Sequence, residues 1–314
     1  MSLVSTTIEN KDYHRGEKFI DYLSSTSIKR YLVSPLWFKY CQEHPEATEI
    51  SHEASNAGSV YHDLLASIAN RGDFSEFEEN WGVFDAPINP KTEQPFGVST
   101  KAYSEAYEAF KAESGKDNLC SGDELRVAKE MVEMLTERNP YLSKDVKKLL
   151  EIGKAEVSFF QEYDGMKFKY RTDLITSNKI VDWKSTTEDD LTPDNIARLI
   201  IKFKYHISAA FYQFLEHKRT GIWKEFYWVV QAKTPPYDFL IVDSSKWTYK
   251  ILGSHVQPMV GGMIVEELIR IHKECTQKNF WPGKAAFVMP DEFGHRITSP
   301  EVPGYAQGLF MNFM

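Results

Sequence analysis

Residues 155–186 read AEVSFFQEYDGMKFKYRTDLITSNKIVDWKST, and this stretch decides the fold. EVSFFQEY alternates and is rich in aromatic and β-branched side chains, the pattern of a half-buried strand. Asp164-Gly165 is a tight-hairpin dipeptide. MKFKYRTDLIT then returns as a second strand, Ser177-Asn178 suits another turn, and KIVDWKST forms a third. The prediction is a three-strand meander. On its last strand Asp182 and Lys184 are two residues apart and share a face, while Val181 and Trp183 point to the other face, into a core. Asp173 lies near the end of the adjacent strand, where a hairpin can bring it beside Asp182, and Glu156 begins the strand before. Three carboxylates and one lysine can therefore converge at one corner of a sheet.

That set suits phosphodiester hydrolysis. Carboxylate oxygens are the ligands that Mg²⁺ or Mn²⁺ prefers, and such ions keep water positions open. A bound ion polarises a phosphate and lowers the pKa of its water. Lys184 would orient that water and offset charge in the transition state. A role as general base comes second, because neighbouring carboxylates favour the charged lysine and desolvation would have to win. Taken alone, Asp-x-Lys on a strand is more often a solvated ion pair. The flanking hydrophobes and the offsets of Asp173 and Glu156 argue against that here. His62, at the edge of an apolar helix, is by itself more often structural, although neutral imidazole can ligate a metal. Tyr205 and His206 begin an amphipathic stretch in which rings at helical spacing ordinarily mean core.

Working outward, SSTSIKRYLVSPLWFKYCQEH (24–44) predicts two short helices, the first capped by Thr26 or Ser27 and the second with Pro35 in its first turn. Residues 53–69 predict a helix with an apolar stripe of Val60, Tyr61, Leu64, Leu65 and Ile68. Residues 72–100, broken by prolines, read as loop. Residues 101–113, 121–138 and 143–150 read as helical. After the meander, a long helix is expected from about Pro193 to Thr220, ended by Gly221. EFYWVVQ and FLIVD are two more strands, and 246–277 a last long helix bent near Pro258 and Gly261-Gly262. The expected organisation is one α/β domain over 1–314, with a helical N-terminal part (1–150), a catalytic sheet with flanking helices (151–290) and a Pro- and Gly-rich tail (291–314).

Composition narrows the class. Of 314 residues 14% are aromatic, too many for a disordered chain. No apolar run approaches the roughly 18 residues of a membrane span, and the polar N-terminus lacks a secretory signal. A cytoplasmic protein with no membrane partner is expected. Three scattered cysteines (Cys41, Cys120, Cys275) fit reduced thiols and cannot supply a four-cysteine iron–sulfur cluster. A net charge of −8 is unusual for a protein that binds nucleic acid. Whole-chain charge is nevertheless a weak discriminator when a metal site needs clustered carboxylates.

The order GSVYHDLL, AEVSFF, YRTDLI, VDWKSTT and KYHISAAFYQFL resembles the RecE-like exonucleases of phages and prophages (exonuclease VIII type). These are a branch of the PD-(D/E)xK superfamily related to RecB nuclease domains and lambda exonuclease. The opening helices and Trp281-Pro282 extend the resemblance over residues 24–283. It implies a restriction-endonuclease-like core, a central mixed β-sheet flanked by helices. It also implies His62, Asp173, Asp182 and the Trp183 backbone carbonyl as metal ligands, Lys184 as the catalytic lysine and Glu156 acting through the metal or its water. Tyr212 matches a tyrosine that touches the DNA backbone. Arg171, sharing a face with Asp173, joins it as an expected DNA contact, as do Tyr205 and His206. One departure is Ser208, where relatives often carry glutamine. The family further implies one or two Mg²⁺ or Mn²⁺ ions, no ATP, digestion of linear double-stranded DNA from 5′ ends, a single-strand annealing partner and a ring-like homo-oligomer. The competing readings are an iron–sulfur RecB-like nuclease, a catalytically silent DNA-binding scaffold, and a metal-dependent hydrolase of another phosphate ester.

Overall fold

The computed structural model describes residues 3–5, 8, 12–13, 17–44 and 56–287, so the expected tail (291–314) and the start of the helix expected at 53 lie outside the described residues. The strands are β1 (Leu3–Ser5), β2 (Trp81–Phe84), β3 (Asn118–Ser121), β4 (Lys154–Tyr163), β5 (Met166–Ile175), β6 (Lys179–Thr186), β7 (Glu225–Ala232), β8 (Phe239–Asp243), β9 (Tyr249–Leu252) and β10 (His255–Pro258). The helices are α1 (Ser25–Lys29), α2 (Pro35–Glu43), α3 (Asn56–Arg71), α4 (Ser75–Asn80), α5 (Lys101–Ser114), α6 (Gly122–Glu133), α7 (Ser143–Ile152), α8 (Pro193–Lys202), α9 (Tyr205–Thr220) and α10 (Val260–Lys278). The fold is α/β, with a central mixed sheet in the order β1-β4-β5-β6-β7-β8 flanked by helices. Every pairing in that sheet is antiparallel except β6 with β7.

The meander is present as β4, β5 and β6. Asp164 (φ 52°) and Gly165 (φ 75°) close the first hairpin between Tyr163 and Met166, both in the left-handed conformation that a two-residue turn requires. Val181 and Trp183 are buried in a core with Val60, Tyr61, Leu64 and Leu65 of α3 and Met131 of α6. Burying a side chain such as Val181 stabilises by about 1.5–3 kcal/mol. A one-residue slip of β6 would exchange these apolar groups for Asp182 and Lys184, so the register of β6 is set by its hydrophobic face.

The described chain packs as two compact units. One comprises Met1–Ser25 and Ile50–Glu267 and holds the sheet. The other comprises Thr26–Glu49 and Leu268–Met314, and its described residues are mainly helical. Its interior is a ring cluster: Tyr31 on Phe38 at 4.4 Å, Phe38 on Trp281 at 5.6 Å, and Tyr31 Oη 2.6 Å from His272 Nδ1. Ser34 caps α2 by accepting from the Trp37 amide at 3.0 Å, with Pro35 at the first helical position as expected. Among the described residues, no helix is long and apolar enough to cross a membrane.

Four expectations for local structure are corrected. The first helix starts at Ser25, so Thr26 and Ser27 lie inside it rather than capping it. Residues 72–100 are not all loop: α4 and β2 form there, because β2 finds a parallel partner in β3 that lies 37 residues away (Trp81↔Asn118). The helix expected from Pro193 to Thr220 is two helices, parted where Lys204 takes φ 56°. Finally, 246–277 is not one helix. A β9–β10 hairpin turns at Gly253-Ser254, and α10 begins only at Val260. A Cβ on Gly261 would stand 2.6 Å from the Trp247 carbonyl oxygen and 2.7 Å from that of His206. That glycine therefore permits a close approach of backbones rather than a bend.

Candidate active site

The site lies where β5 and β6 part. They pair only at Leu174↔Val181 and Ile175↔Ile180, after which β6 continues along β7 from Lys179↔Glu225 to Thr186↔Ala232. Asp173 occupies the fork. Its Oδ2 accepts the Trp183 amide at 2.8 Å, satisfying a donor that the splay removes from the ladder. The same oxygen lies 3.5 Å from Nδ1 of His62, which α3 delivers.

Glu156 completes the cluster. The β4–β5 register, Ala155↔Leu174 and Val157↔Thr172, sets Glu156 opposite Asp173. Glu156 itself has φ 51°. A non-glycine residue in that region costs about 1–3 kcal/mol, and such strain concentrates at functional sites. Ligand atoms of His62, Glu156 and Asp173 all lie within 4.8 Å of one another. Asp182 adjoins them: it feels the charge of Asp173, and its Oδ2 is 2.7 Å from Lys184 Nζ. Lys184 Nζ also donates to the Trp183 carbonyl at 3.1 Å and lies 5.2 Å from the centre of the Tyr205 ring. The break at Lys204, which starts α9 at Tyr205, is thus next to the residue that faces the lysine.

Crowding acids in a half-buried notch has a cost that their pKa values record. Burial, then the charge of Asp173, pushes Glu156 up to about 8 against the pull of Arg171. Burial pushes Asp182 up to about 6 although Lys184 opposes it. Burial raises Asp173 too, against Lys184 and the Trp183 amide. His62 is lowered to about 4 by burial and by the Lys184 ammonium, so its ring is neutral at physiological pH. Burial alone would lower Lys184, yet Asp182 and Asp173 outweigh it and hold the ammonium above the ordinary lysine range. His62, Glu156 and Asp173, a neutral imidazole and two carboxylates whose ligand atoms lie together, form a donor set matched to a hard divalent cation, with the Asp182–Lys184 pair and the Trp183 carbonyl adjoining it.

A family model described as a PDDEXK-like domain of unknown function (DUF3799) matches residues 24–286. The chain belongs to this PDDEXK-like family. A solved structure described as that of a candidate exonuclease from Eubacterium rectale superposes with a TM-score of 0.50 at 14% identity, covering 97% of this chain and 98% of that one. That likeness is one of fold. The structure of SSO0001 gives a TM-score of 0.25 at 16% identity over 67% of this chain and 74% of that one, too little to carry an argument. No curated protein matches the chain.

The PDDEXK-like core brings together His62, Glu156, Asp173, Asp182, the Trp183 carbonyl, Lys184 and Tyr205. Tyr212 is close enough to feel the charges of Asp182 and Asp173, and its hydroxyl lies 3.5 Å from the Ser25 hydroxyl. Arg171 is near Glu156 (3.8 Å) but is engaged within the protein. It donates to Ser158 Oγ and to the Ile8 carbonyl, each at 2.7 Å, and its guanidinium lies 4.4 Å from the centre of the Tyr13 ring. His206 stands apart: it is buried, its ring 6.1 Å from Trp247 and its Nδ1 3.3 Å from the Ile200 carbonyl oxygen.

Sequence reasoning missed three neighbours of the PDDEXK-like site. Asp63 follows His62 on α3, accepts the Trp81 indole N–H at 2.7 Å, and has its pKa raised by burial. Adjacency to His62 was a usable signal for it. Tyr13 and Lys233, whose charge reaches His62, carry no local signal.

Proposed function

We propose that this protein is a divalent-metal-dependent, ATP-independent exodeoxyribonuclease that hydrolyses linear double-stranded DNA from 5′ ends. The observation that carries the reading is the convergence of His62, Glu156 and Asp173 within 4.8 Å, beside the Asp182–Lys184 pair, at the fork of a PDDEXK-like sheet. The RecE-like assignment within the superfamily is supported by motif order along the sequence. With it come a role in phage-type recombination, an annealing partner and a ring-like homo-oligomer as parts of the proposal.

His62, Asp173, Asp182 and the Trp183 carbonyl would hold one or two Mg²⁺ or Mn²⁺ ions, with Glu156 at their edge. Such a cation supplies Lewis acidity and an acidic water. The residues do the rest. Asp173 holds the Trp183 backbone in place through the 2.8 Å bond to its amide. Lys184 stays protonated in the company of Asp182 and Asp173, which suits orienting the nucleophilic water and stabilising charge on the phosphorane better than removing a proton. Arg171, its donors occupied, serves as a fixed counter-charge to Glu156. Tyr205 and Tyr212 are the better candidates for DNA contact.

The test is digestion of linear duplex DNA labelled at the 5′ or the 3′ end, with Mg²⁺ and without ATP, beside a covalently closed circle and the Asp182→Ala protein. Rapid loss of 5′ label, a spared circle and a dead variant are expected. Cleavage of the circle would refute end dependence. No cleavage with Mg²⁺ or Mn²⁺ would turn the reading to a silent scaffold or to another phosphate ester.

A further inference from the structure

Between α8 and α9 a strained residue brings a ring to the surface. Lys204 stands at φ 56°, in the left-handed region where glycine is the usual occupant. In an unbroken helix its neighbours Phe203 and Tyr205 would point apart, since side chains two positions apart do not face each other. With the break at Lys204 their rings stack instead, centroids 5.4 Å apart and planes 21° from parallel. Phe203 caps the end of α8, its N–H donating to the Leu199 carbonyl at 3.0 Å, yet the residue is 47% exposed. Exposure of such a ring forgoes the stabilisation that burial would give. Backbone strain that turns an apolar ring outward serves a ligand contact rather than packing.

The stack runs on into the carboxylate cluster. Lys184 Nζ, 2.7 Å from Asp182, lies 5.2 Å from the centre of the Tyr205 ring. The Phe203 ring is therefore no farther from that ammonium than those two ring steps together, about three nucleotides at the ~3.4 Å rise of a stacked strand. What suits an exposed ring at that distance from a phosphate-handling lysine is a base, whose π face stacks on an aromatic side chain whatever its identity. Charge around the ring is mixed. Lys202, its ammonium 5.2 Å from the Phe203 ring, and Lys204 flank it, while Asp190 and Asp194 lie at or before the start of α8. Stacking rather than charge thus selects the occupant. Inside a duplex both faces of a base are covered by its neighbours, so only a base at an end has a face to offer.

We propose that Phe203, backed by Tyr205, is a specificity-determining residue for DNA ends: its exposed ring stacks on the base of the 5′-terminal nucleotide while the phosphate to be cut lies at the carboxylate cluster. The assignment rests on the exonuclease reading and gives it a source of end dependence, because a closed circle has no free base face.

The experiment is fluorescence anisotropy of the full-length protein, in EDTA and again in Ca²⁺, with probe integrity checked on a gel. The probes are hairpin-closed duplexes with one free end, whose 5′-terminal nucleotide either carries adenine or is abasic. Wild type should bind the adenine end about ten-fold tighter. Phe203→Ala should lose that factor on the adenine end and bind the abasic end as wild type does, the non-additivity of two groups in contact. Phe203→Trp should keep the discrimination, which separates loss of the ring from loss of the fold. Equal binding of both ends by wild type, or discrimination that survives in Phe203→Ala, would overturn the proposal. Survival together with sedimentation as a smaller species would show that the ring joins copies of this chain instead. Protein that binds neither duplex in either condition overturns the exonuclease reading along with this one, whereas binding that ignores the terminal base overturns this one alone.

Discussion

Cation affinity should climb with pH in a way that Glu156 controls. Without a cation, burial and Asp173 hold the Glu156 pKa at about 8, against an ordinary 4.5. A cation at this cluster favours the carboxylate, so its binding must expel that proton. Below the raised pKa the apparent affinity then rises tenfold per pH unit, and above it the curve flattens. Between about pH 6.5 and about pH 8.5 the gain is roughly 25-fold. Asp182, raised to about 6, steepens the curve only below that, and His62, at about 4, is already neutral throughout. Stability moves oppositely in the metal-free protein. The folded state holds a proton on Glu156 that the unfolded chain releases near 4.5, so this contribution is full below that pH and is lost as pH rises through 8. The thermal stabilisation by Mn²⁺ should therefore be larger at about pH 8.5 than at about pH 6.5. The assay is calorimetric titration with Mn²⁺ in buffers of different ionisation enthalpy, which counts the protons released, with Glu156→Gln as the comparison. A flat affinity across that range, or a slope that survives in Glu156→Gln, would refute the argument.

Three further outcomes are expected. Lys184→Ala should cut cleavage by about 10²–10³-fold while leaving Mn²⁺ and DNA binding in place, read by single-turnover digestion and anisotropy; near-normal cleavage would remove its catalytic role. His62→Ala should raise the Mg²⁺ concentration for half-maximal rate at least about ten-fold, and an unchanged requirement would return His62 to a structural part. Gly58→Ala, one turn before His62, meets only Ser185 Oγ at 3.9 Å, so the fold itself has room for the methyl. Its melting temperature should hold or rise, since alanine is the better helix former by up to about 1 kcal/mol, while digestion slows if DNA passes over that turn; unimpaired digestion would show that nothing does.

Much of the site was legible from residues 155–186 because its signals are local. Alternation, two turn dipeptides and the two-residue spacing of Asp182 and Lys184 lie within single strands or hairpins, where backbone geometry alone dictates which side chains share a face. Fold class followed from the same stretch, and the resemblance to PD-(D/E)xK nucleases from the order of short motifs around it. What remained hidden depends on partners far apart in the chain. The left-handed Glu156, the fork at Asp173, the break at Lys204 and the β2–β3 pair carry no glycine or proline signal strong enough to announce them. Arg171 shows the limit well. Its place on the strand was readable, but its employment was not, because Tyr13 and the Ile8 carbonyl reach it across about 160 residues of chain. Sequence periodicity settles which face of a strand a charge occupies. Only the packed structure decides what else arrives at that face, since that arrival is driven by burial summed over the whole core rather than by any local preference.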